Sequence, residues 1–196
     1  MRHRRVNIVL AFAVLATMAG CGGPPTGTPA PTTKGPTATP PPRPTTLDSI
    51  FVLESSGSEP DDSSIAIAGA RTRTVVIRRD PPDNSLFARL TFQTAPGDST
   101  RITIQPRPGV YGFDLTIDRP LAAGAMVALS YAVHFVAPAG ARVRYGSDLE
   151  YERALFLARV DPSGRVEFLG SLRPGSDMIE ATIPGPGRYL VAAPRW

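Results

Sequence analysis

The chain has 196 residues, of which 42% are hydrophobic and 19% charged, enough for one domain with its own core and additional segments. The net charge of +4 overstates the basic character, because without the first twenty residues 18 basic side chains stand against 17 acidic ones. This near-neutral balance excludes the broad positive field typical of nucleic-acid-binding proteins, so we expect no nucleic-acid partner.

The N-terminus has the organisation of a secretory signal. Residues 1–5 are basic, and residues 6–18 are apolar apart from Asn7 and Thr17. At ~1.5 Å per helical residue this apolar run spans about 20 Å, short of the ~30 Å hydrocarbon core of a membrane. A basic segment, a short apolar run and small residues before a cleavage point predict a signal peptide over residues 1–20.

Cys21, the only cysteine, makes the prediction more specific. The stretch Met18-Ala19-Gly20-Cys21 resembles the lipobox of bacterial lipoproteins, although leucine is commoner than methionine at its first position. The resemblance implies a diacylglyceryl thioether on the Cys21 sulfur and cleavage between Gly20 and Cys21. The alternative is an ordinary signal or membrane helix that contains a cysteine by chance.

The lipid would hold the protein firmly to a membrane. Each buried methylene contributes ~0.8 kcal/mol, so two or three acyl chains on one residue anchor stably without a spanning helix. We therefore expect an exported protein anchored through Cys21 to the cell membrane or outer membrane, facing periplasm or exterior. Gly22, where a retention signal would place aspartate, favours the outer membrane in a cell that has one. With Cys21 consumed, the exported part has no cysteine for a disulfide.

A proline- and threonine-rich stretch follows the cysteine. Residues 22–46 contain nine prolines, eight threonines and no aromatic or large aliphatic side chain. Such a segment buries too little apolar surface to fold, and proline favours an extended chain of ~3.1 Å per residue. We predict a lipid-anchored disordered linker over residues 21–46. A proline-rich ligand motif at residues 40–44 is the less favoured interpretation.

The remaining residues, 47–196, show mainly the two-residue periodicity of β-strands. Apolar side chains alternate with polar ones in residues 86–92, 101–105 and 111–118. Turn sequences rich in proline, glycine and aspartate separate further strands. They lie at residues 79–85, at 160–166 between strands 154–160 and 165–170, and at 184–187 between strands 178–183 and 188–193. The pattern predicts an all-β fold, an antiparallel β-sandwich.

One long apolar segment, residues 120–138, has three possible interpretations. A membrane span is disfavoured because the segment is short and contains Gly124, Ser130 and His134. A short helix around residues 121–128 is the second possibility. Alternation of large and small side chains favours the third, a long strand with Val127, Leu129, Tyr131, Val133 and Phe135 on one face.

The carboxylates of Asp148, Glu150 and Glu152 recur at every second residue. On one strand face they would suit calcium binding or acid–base catalysis. A β-hairpin over residues 142–152 explains them more simply, since a loop at Gly146-Ser147-Asp148 would place Arg144 opposite Glu150 and Arg142 opposite Glu152. We therefore expect structural pairing and no metal site there.

His134 is the only histidine beyond residue 20. No second histidine or free cysteine accompanies it for a conventional zinc site, and no G-x-S-x-G motif for a catalytic triad. We interpret His134 as a solvent-facing strand residue, and we expect no cofactor. Residues 59–64 form a polar turn that lacks the spacing of a calcium-binding loop.

The C-terminal strands resemble the closing strands of immunoglobulin-like modules on bacterial surface proteins. The resemblance rests on the hairpin at residues 154–169, the strand at 178–183 and the G-x-Y-x-V pattern at 187–191. It is a pattern of strands and turns and carries no functional residue. Together with the lipobox, it leads us to expect a lipid-anchored, non-catalytic binding or structural module of the cell envelope, with an envelope protein or glycan as possible partner. The alternative is an envelope hydrolase that uses Asp148, Glu150 and Glu152.

Overall fold

Antiparallel strands account for most of the chain in a computed structural model. It describes residues 41–61, 63–68, 71–93, 99–121, 124–175 and 177–196. All belong to one compact unit, Lys34–Trp196. The predicted signal peptide, Gly20, Cys21 and the linker up to residue 40 lie outside the described residues.

The strands are short, and two helices interrupt them late in the chain. In chain order the elements are β1 (Thr45–Thr46), a 3-10 turn (Leu47–Ser49), β2 (Ile50–Val52), β3 (Glu54–Ser55), β4 (Ser63–Ala68), β5 (Thr72–Arg78), β6 (Leu86–Gln93), β7 (Ser99–Pro106), β8 (Gly112–Ile117), β9 (Ala125–Ser130), β10 (Phe135–Val136), α1 (Ala139–Tyr145), α2 (Asp148–Arg153), β11 (Phe156–Val160), β12 (Arg165–Phe168), β13 (Ser171–Leu172), β14 (Met178–Ile183) and β15 (Gly187–Pro194).

Two antiparallel sheets form the sandwich. The larger has the order β1-β12-β11-β15-β8-β7-β4, with β2 also paired to β15, and the smaller has the order β13-β14-β9-β6-β5. β3 and β10 form a separate two-stranded pair. The prediction of an all-β, antiparallel sandwich is thus confirmed.

The main core lies between the sheets and takes one face of each strand, as period-two burial requires. Its largest fully buried side chains include four tyrosines and three phenylalanines. A second apolar cluster lies on the opposite face of β11 and β15 and contains Phe156, Phe168 and Leu190. β11 and β15 are therefore buried on both faces, which explains why their sequences are almost continuously apolar.

The predicted turns join the expected strands, but one connection has a different role. Residues 79–85 join β5 to β6, and residues 161–164 join β11 to β12 as hairpins. Gly164 has a φ of +82°, the left-handed conformation that glycine accepts without strain. Residues 184–186 do not close a hairpin, because β14 belongs to the smaller sheet and β15 to the larger.

The long strand predicted within residues 120–138 is only partly correct. β9 has the expected alternation, with Val127 and Leu129 buried and Met126 exposed. The strand ends at Ser130, however, and the chain turns before β10. Val133, expected in the core, is 65% exposed in that turn. The apolar character of residues 120–138 did not reveal that β9 stops pairing with β14 at Ser130.

The hairpin predicted over residues 142–152 is wrong, since α1 and α2 occupy this region. Gly146 ends α1 in the left-handed conformation, with φ +80°. Ser147 caps α2 by accepting a hydrogen bond from the Glu150 amide. Ser147-x-x-Glu150 has the spacing of a capping box, so the sequence contained a helix start signal that competed with the period-two carboxylates.

Candidate functional site

The three carboxylates of α2 do not converge. Asp148 accepts two hydrogen bonds from Arg142, at 2.7 and 3.0 Å, and Glu150 pairs with Arg153 at 2.6 Å. Glu152 accepts from the Tyr131 hydroxyl at 3.2 Å. Pairing with arginine was expected, but the predicted partners, Arg144 for Glu150 and Arg142 for Glu152, are wrong because the backbone is helical.

A buried arginine, Arg79, forms a polar cluster in the sandwich. Arg79 follows β5 and is 3% exposed. Its guanidinium donates to the Ser58 carbonyl at 2.7 Å and to the Ser55 hydroxyl at 2.8 Å. It also lies over the stacked rings of Phe87 and Tyr111, 5.5 and 5.2 Å from their centroids. Burying a cation is costly unless such partners surround it, so Arg79 holds residues 55–58 against the β5–β6 turn.

His134 closes this cluster from the other side. Its Nε2 lies 2.5 Å from an Asp83 carboxylate oxygen, which is 4.0 Å from the Arg79 Nε. Hydrogen bonds from Ser85 hold the pKa of the Asp83 carboxyl below its usual value. Burial opposes them in part, and the contact with His134 adds a further lowering. The interpretation of His134 as a solvent-facing strand residue is wrong, since it lies in a turn and is mostly covered.

The geometry makes this cluster a clamp. A β-carbon at Gly57 would overlap the His134 ring, so the segment before β4 packs directly on the imidazole. The Ser55 hydroxyl accepts from Arg79, and burial raises the pKa of the Tyr111 phenol, which keeps it neutral. These contacts tie three segments together: residues 55–58, the β5–β6 turn and the turn that contains His134.

A second arginine clamp holds the helices. Arg173, just after β13, donates to the Tyr131 hydroxyl at 2.8 Å, to the Leu155 carbonyl at 3.1 Å and to the Glu152 carbonyl. Burial raises the pKa of the Tyr131 phenol, which therefore stays neutral between the arginine and the Glu152 carboxylate. α2 is thereby fixed to the end of β9.

The first clamp shapes a groove beside β5. The isolated bridge between Pro60 and Arg79, with the Asp80 amide donating to the Glu59 carbonyl at 3.2 Å, places residues 59–60 alongside the end of β5. The groove has a volume of about 320 Å³ and is lined by Asp61, Asn84 and the run from Val76 to Pro81. The groove includes Arg79 of the clamp in its lining, and it lies along a strand edge.

Sequence reasoning missed both clamps. Arg79 was assigned to a turn and Arg173 received no role, because their hydrogen-bond partners are 18 to 42 residues away in sequence. One signal in the sequence was available. Val75, Ile77 and Arg79 are spaced two residues apart, and Val75 and Ile77 face the core. Continuing this alternation by one step predicts that Arg79 also faces the core.

Comparison of the chain with protein-family models, with curated proteins and with solved structures found no match. Among the described residues, no group of three or more histidine, cysteine, aspartate or glutamate side chains has the arrangement to hold a metal ion. Within the same residues, none of the helices is long and apolar enough to cross a membrane.

Proposed function

We propose that this chain is an exported lipoprotein that displays its β-sandwich, as a non-catalytic binding or structural module, at the cell envelope. The observation that carries the proposal is the arrangement of residues 1–21, a basic start and a short apolar run that end in Met18-Ala19-Gly20-Cys21. The proline- and threonine-rich stretch then leads directly to β1, the first strand of the sandwich.

The position of β1 supports display on a tether. β1 is the outer strand of the larger sheet and pairs with β12. β4 and β5 are the outer strands at the opposite ends of the two sheet orders, β4 in the larger sheet and β5 in the smaller. A tether attached before β1 therefore leaves the groove beside β5 on the far side, accessible to an envelope protein or glycan.

The directions of the α2 carboxylates support a binding module over an envelope hydrolase. A glycoside-cleaving pair would place two carboxyl groups across a shared space, about 5–9.5 Å apart. Here Asp148 and Glu150 each bind an exposed arginine on the helical surface, and Glu152 contacts the buried Tyr131. The three side chains serve three different contacts.

Radiolabelled palmitate tests the anchor. Bacteria that export the full chain should incorporate the label into a processed, membrane-associated protein, and Cys21→Ser should remove the label. Met18→Leu, which restores the commoner lipobox residue, should label as strongly as the wild type. A wild-type protein that takes up no lipid, with Cys21→Ser still fractionating with membranes, would overturn the proposal.

A further inference from the structure

β5 has one free edge. It is the outer strand of the smaller sheet, and among the described residues its ladder partner is β6 alone. The Arg79 amide donates toward β6, to the Ser85 carbonyl at 3.0 Å. Because backbone groups of alternate residues point to opposite sides of a strand, those of Thr74 and Val76 point away from β6.

The molecule itself shows that this edge accepts an antiparallel segment. Residues 59–60 bridge to Arg79, and the Asp80 amide bonds to Glu59 on the side away from β6. β4, which begins at Ser63, belongs to the larger sheet. The bridge therefore stops just before the outward groups of Val76 and Thr74. Val76 is 51% exposed, an unusual position for a β-branched apolar side chain at an uncovered edge.

The two ends of the edge carry opposite charge. Arg71 and Arg73 lie at its N-terminal end. Asp61 and Asp80 line the groove at its C-terminal end, where the Arg78 guanidinium is turned to the Asn84 carbonyl at 3.0 Å. An antiparallel, two-fold pairing places the basic end of one copy against the acidic end of the other. Such an edge is complementary to itself.

We propose that β5 pairs with β5 of a second copy of this chain, antiparallel about a two-fold axis at Val75. Thr74 of one copy then faces Val76 of the other, and their outward backbone groups form the ladder. The two smaller sheets join into one continuous sheet, and the exposed Val76 side chains are covered by the partner strand. The pairing uses no lipid, so it stands or falls independently of the anchor at Cys21.

β4 is the contrasting edge. It is the outer strand of the larger sheet on the same flank, yet its sequence, Ser-Ser-Ile-Ala-Ile-Ala, carries no charge. No charged side chain within β4 itself therefore fixes the register of a pair, whereas β5 contains Arg73 and Arg78. Charge and register both favour β5.

Disulfide cross-linking tests the register in the full chain carrying Cys21→Ser, in which introduced cysteines are the only ones. Directly opposed residues in a hydrogen-bonded pair are about 5.5 Å apart at Cα, within the range of about 4.4–6.8 Å that a disulfide spans. Thr74→Cys/Val76→Cys should therefore form a covalent dimer under mild oxidation. The matched control is Arg89→Cys/Thr91→Cys, which has the same spacing one strand further in.

The control pair should remain monomeric, since β6 of one copy lies three strand spacings, roughly 14 Å, from β6 of the other. Equal cross-linking of both pairs would indicate non-specific collision and would overturn the proposal. So would absence of cross-linking in the Thr74/Val76 variant.

Sedimentation equilibrium of the full chain in density-matched detergent tests the interface without cysteines. Val76→Lys should weaken self-association roughly tenfold or more, because edge lysines block strand pairing. Asp61→Arg and Arg73→Asp should each weaken association, and the double variant should recover part of the loss. A wild-type chain that is monomeric at all concentrations would overturn the proposal, and so would association that Val76→Lys does not change. Either result would overturn it even if a different protein were found to bind the β5 edge.

Discussion

β11 and β15 differ from the segment 131–153 in what holds them to the sandwich. β11 and β15 pair along five residues each and are buried on both faces by apolar side chains. The segment 131–153 crosses one end of the sandwich as a turn, a two-residue strand and two short helices. Beyond its buried aromatic side chains, its position depends on polar contacts with distant parts of the chain. His134 contacts Asp83, and Arg173 donates to the Tyr131 hydroxyl and the Glu152 carbonyl.

The difference has a physical consequence. Apolar burial is non-directional and spreads over many residues, so a strand buried on both faces tolerates the loss of any one polar contact. A polar clamp concentrates its effect in a few atoms, and removing one leaves its buried partners without hydrogen bonds. The two regions should therefore respond to different substitutions.

The largest effect is expected at the first clamp. Arg79→Met keeps the length of the side chain but leaves the Ser58 carbonyl and the Ser55 hydroxyl without their shared donor, and it removes the positive charge 4.0 Å from the Asp83 carboxylate. Breaking a buried charged contact in this way costs about 3–5 kcal/mol of the free energy of unfolding. Urea denaturation of the two proteins measures the difference.

Arg78→Met is the matched control. Arg78 is exposed and makes one hydrogen bond, so we expect a change of about 0.5 kcal/mol or less. Equal losses for the two variants would mean that Arg79 stabilises the chain only as a surface charge, and the distinction between the two regions would fail.

The next effect concerns apolar burial. Leu157→Ala in β11 removes a side chain that is 1% exposed, and should cost about 2–5 kcal/mol through lost burial and the cavity left behind. Leu149→Ala in α2 removes a leucine that is 54% exposed and should change stability by about 0.5 kcal/mol or less. A large loss at Leu149 would show that another surface covers α2.

The same difference explains what the sequence could predict. The strands at residues 86–92, 101–105 and 111–118 and the hairpin at 154–170 follow from alternation and turn residues, which are local. The partners of Arg79, His134 and Arg173 lie far away in the chain, so no local pattern reveals them. The prediction for residues 142–152 failed for a third reason. The carboxylates at every second residue suggested a strand, whereas the serine cap of α2 and the glycine that ends α1 are helix signals, and the segment is helical.

A smaller difference in stability is expected between variants that lack one of two tyrosine hydroxyls. The Tyr131 hydroxyl lies between the Arg173 guanidinium and the Glu152 carboxylate, whereas the Tyr189 hydroxyl donates to the Gly185 carbonyl at 2.5 Å. Tyr131→Phe should cost about 1.5–3 kcal/mol and Tyr189→Phe about 0.5–1.5 kcal/mol, since hydrogen bonds to charged groups contribute more. Thermal unfolding of both variants compares them, and the reverse order would place the stronger contact in β15.

The smallest effect is a pH dependence that involves two carboxylates, Asp83 at the first clamp and Asp161 in the turn after β11. Hydrogen bonds from Ser85 lower the pKa of Asp83 at the clamp, and hydrogen bonds from Ser163 and Arg165 lower that of Asp161 in the β11–β12 turn. A folded pKa below the unfolded value of about 3.9 means that the stabilisation is complete above that pH and is lost as the pH falls through the folded value.

The wild-type melting temperature should therefore drop on acidification below about pH 4, and Asp83→Asn and Asp161→Asn should each show a shallower drop. The double variant should show the sum of the two reductions, because the residues belong to different sheets and share no partner. If the double variant loses stability in acid as steeply as the wild type, neither carboxylate stabilises the fold through its ionised form. If only Asp161→Asn flattens the curve, the His134–Asp83 contact contributes nothing to the clamp, and Arg79 alone holds residues 55–58 to the β5–β6 turn.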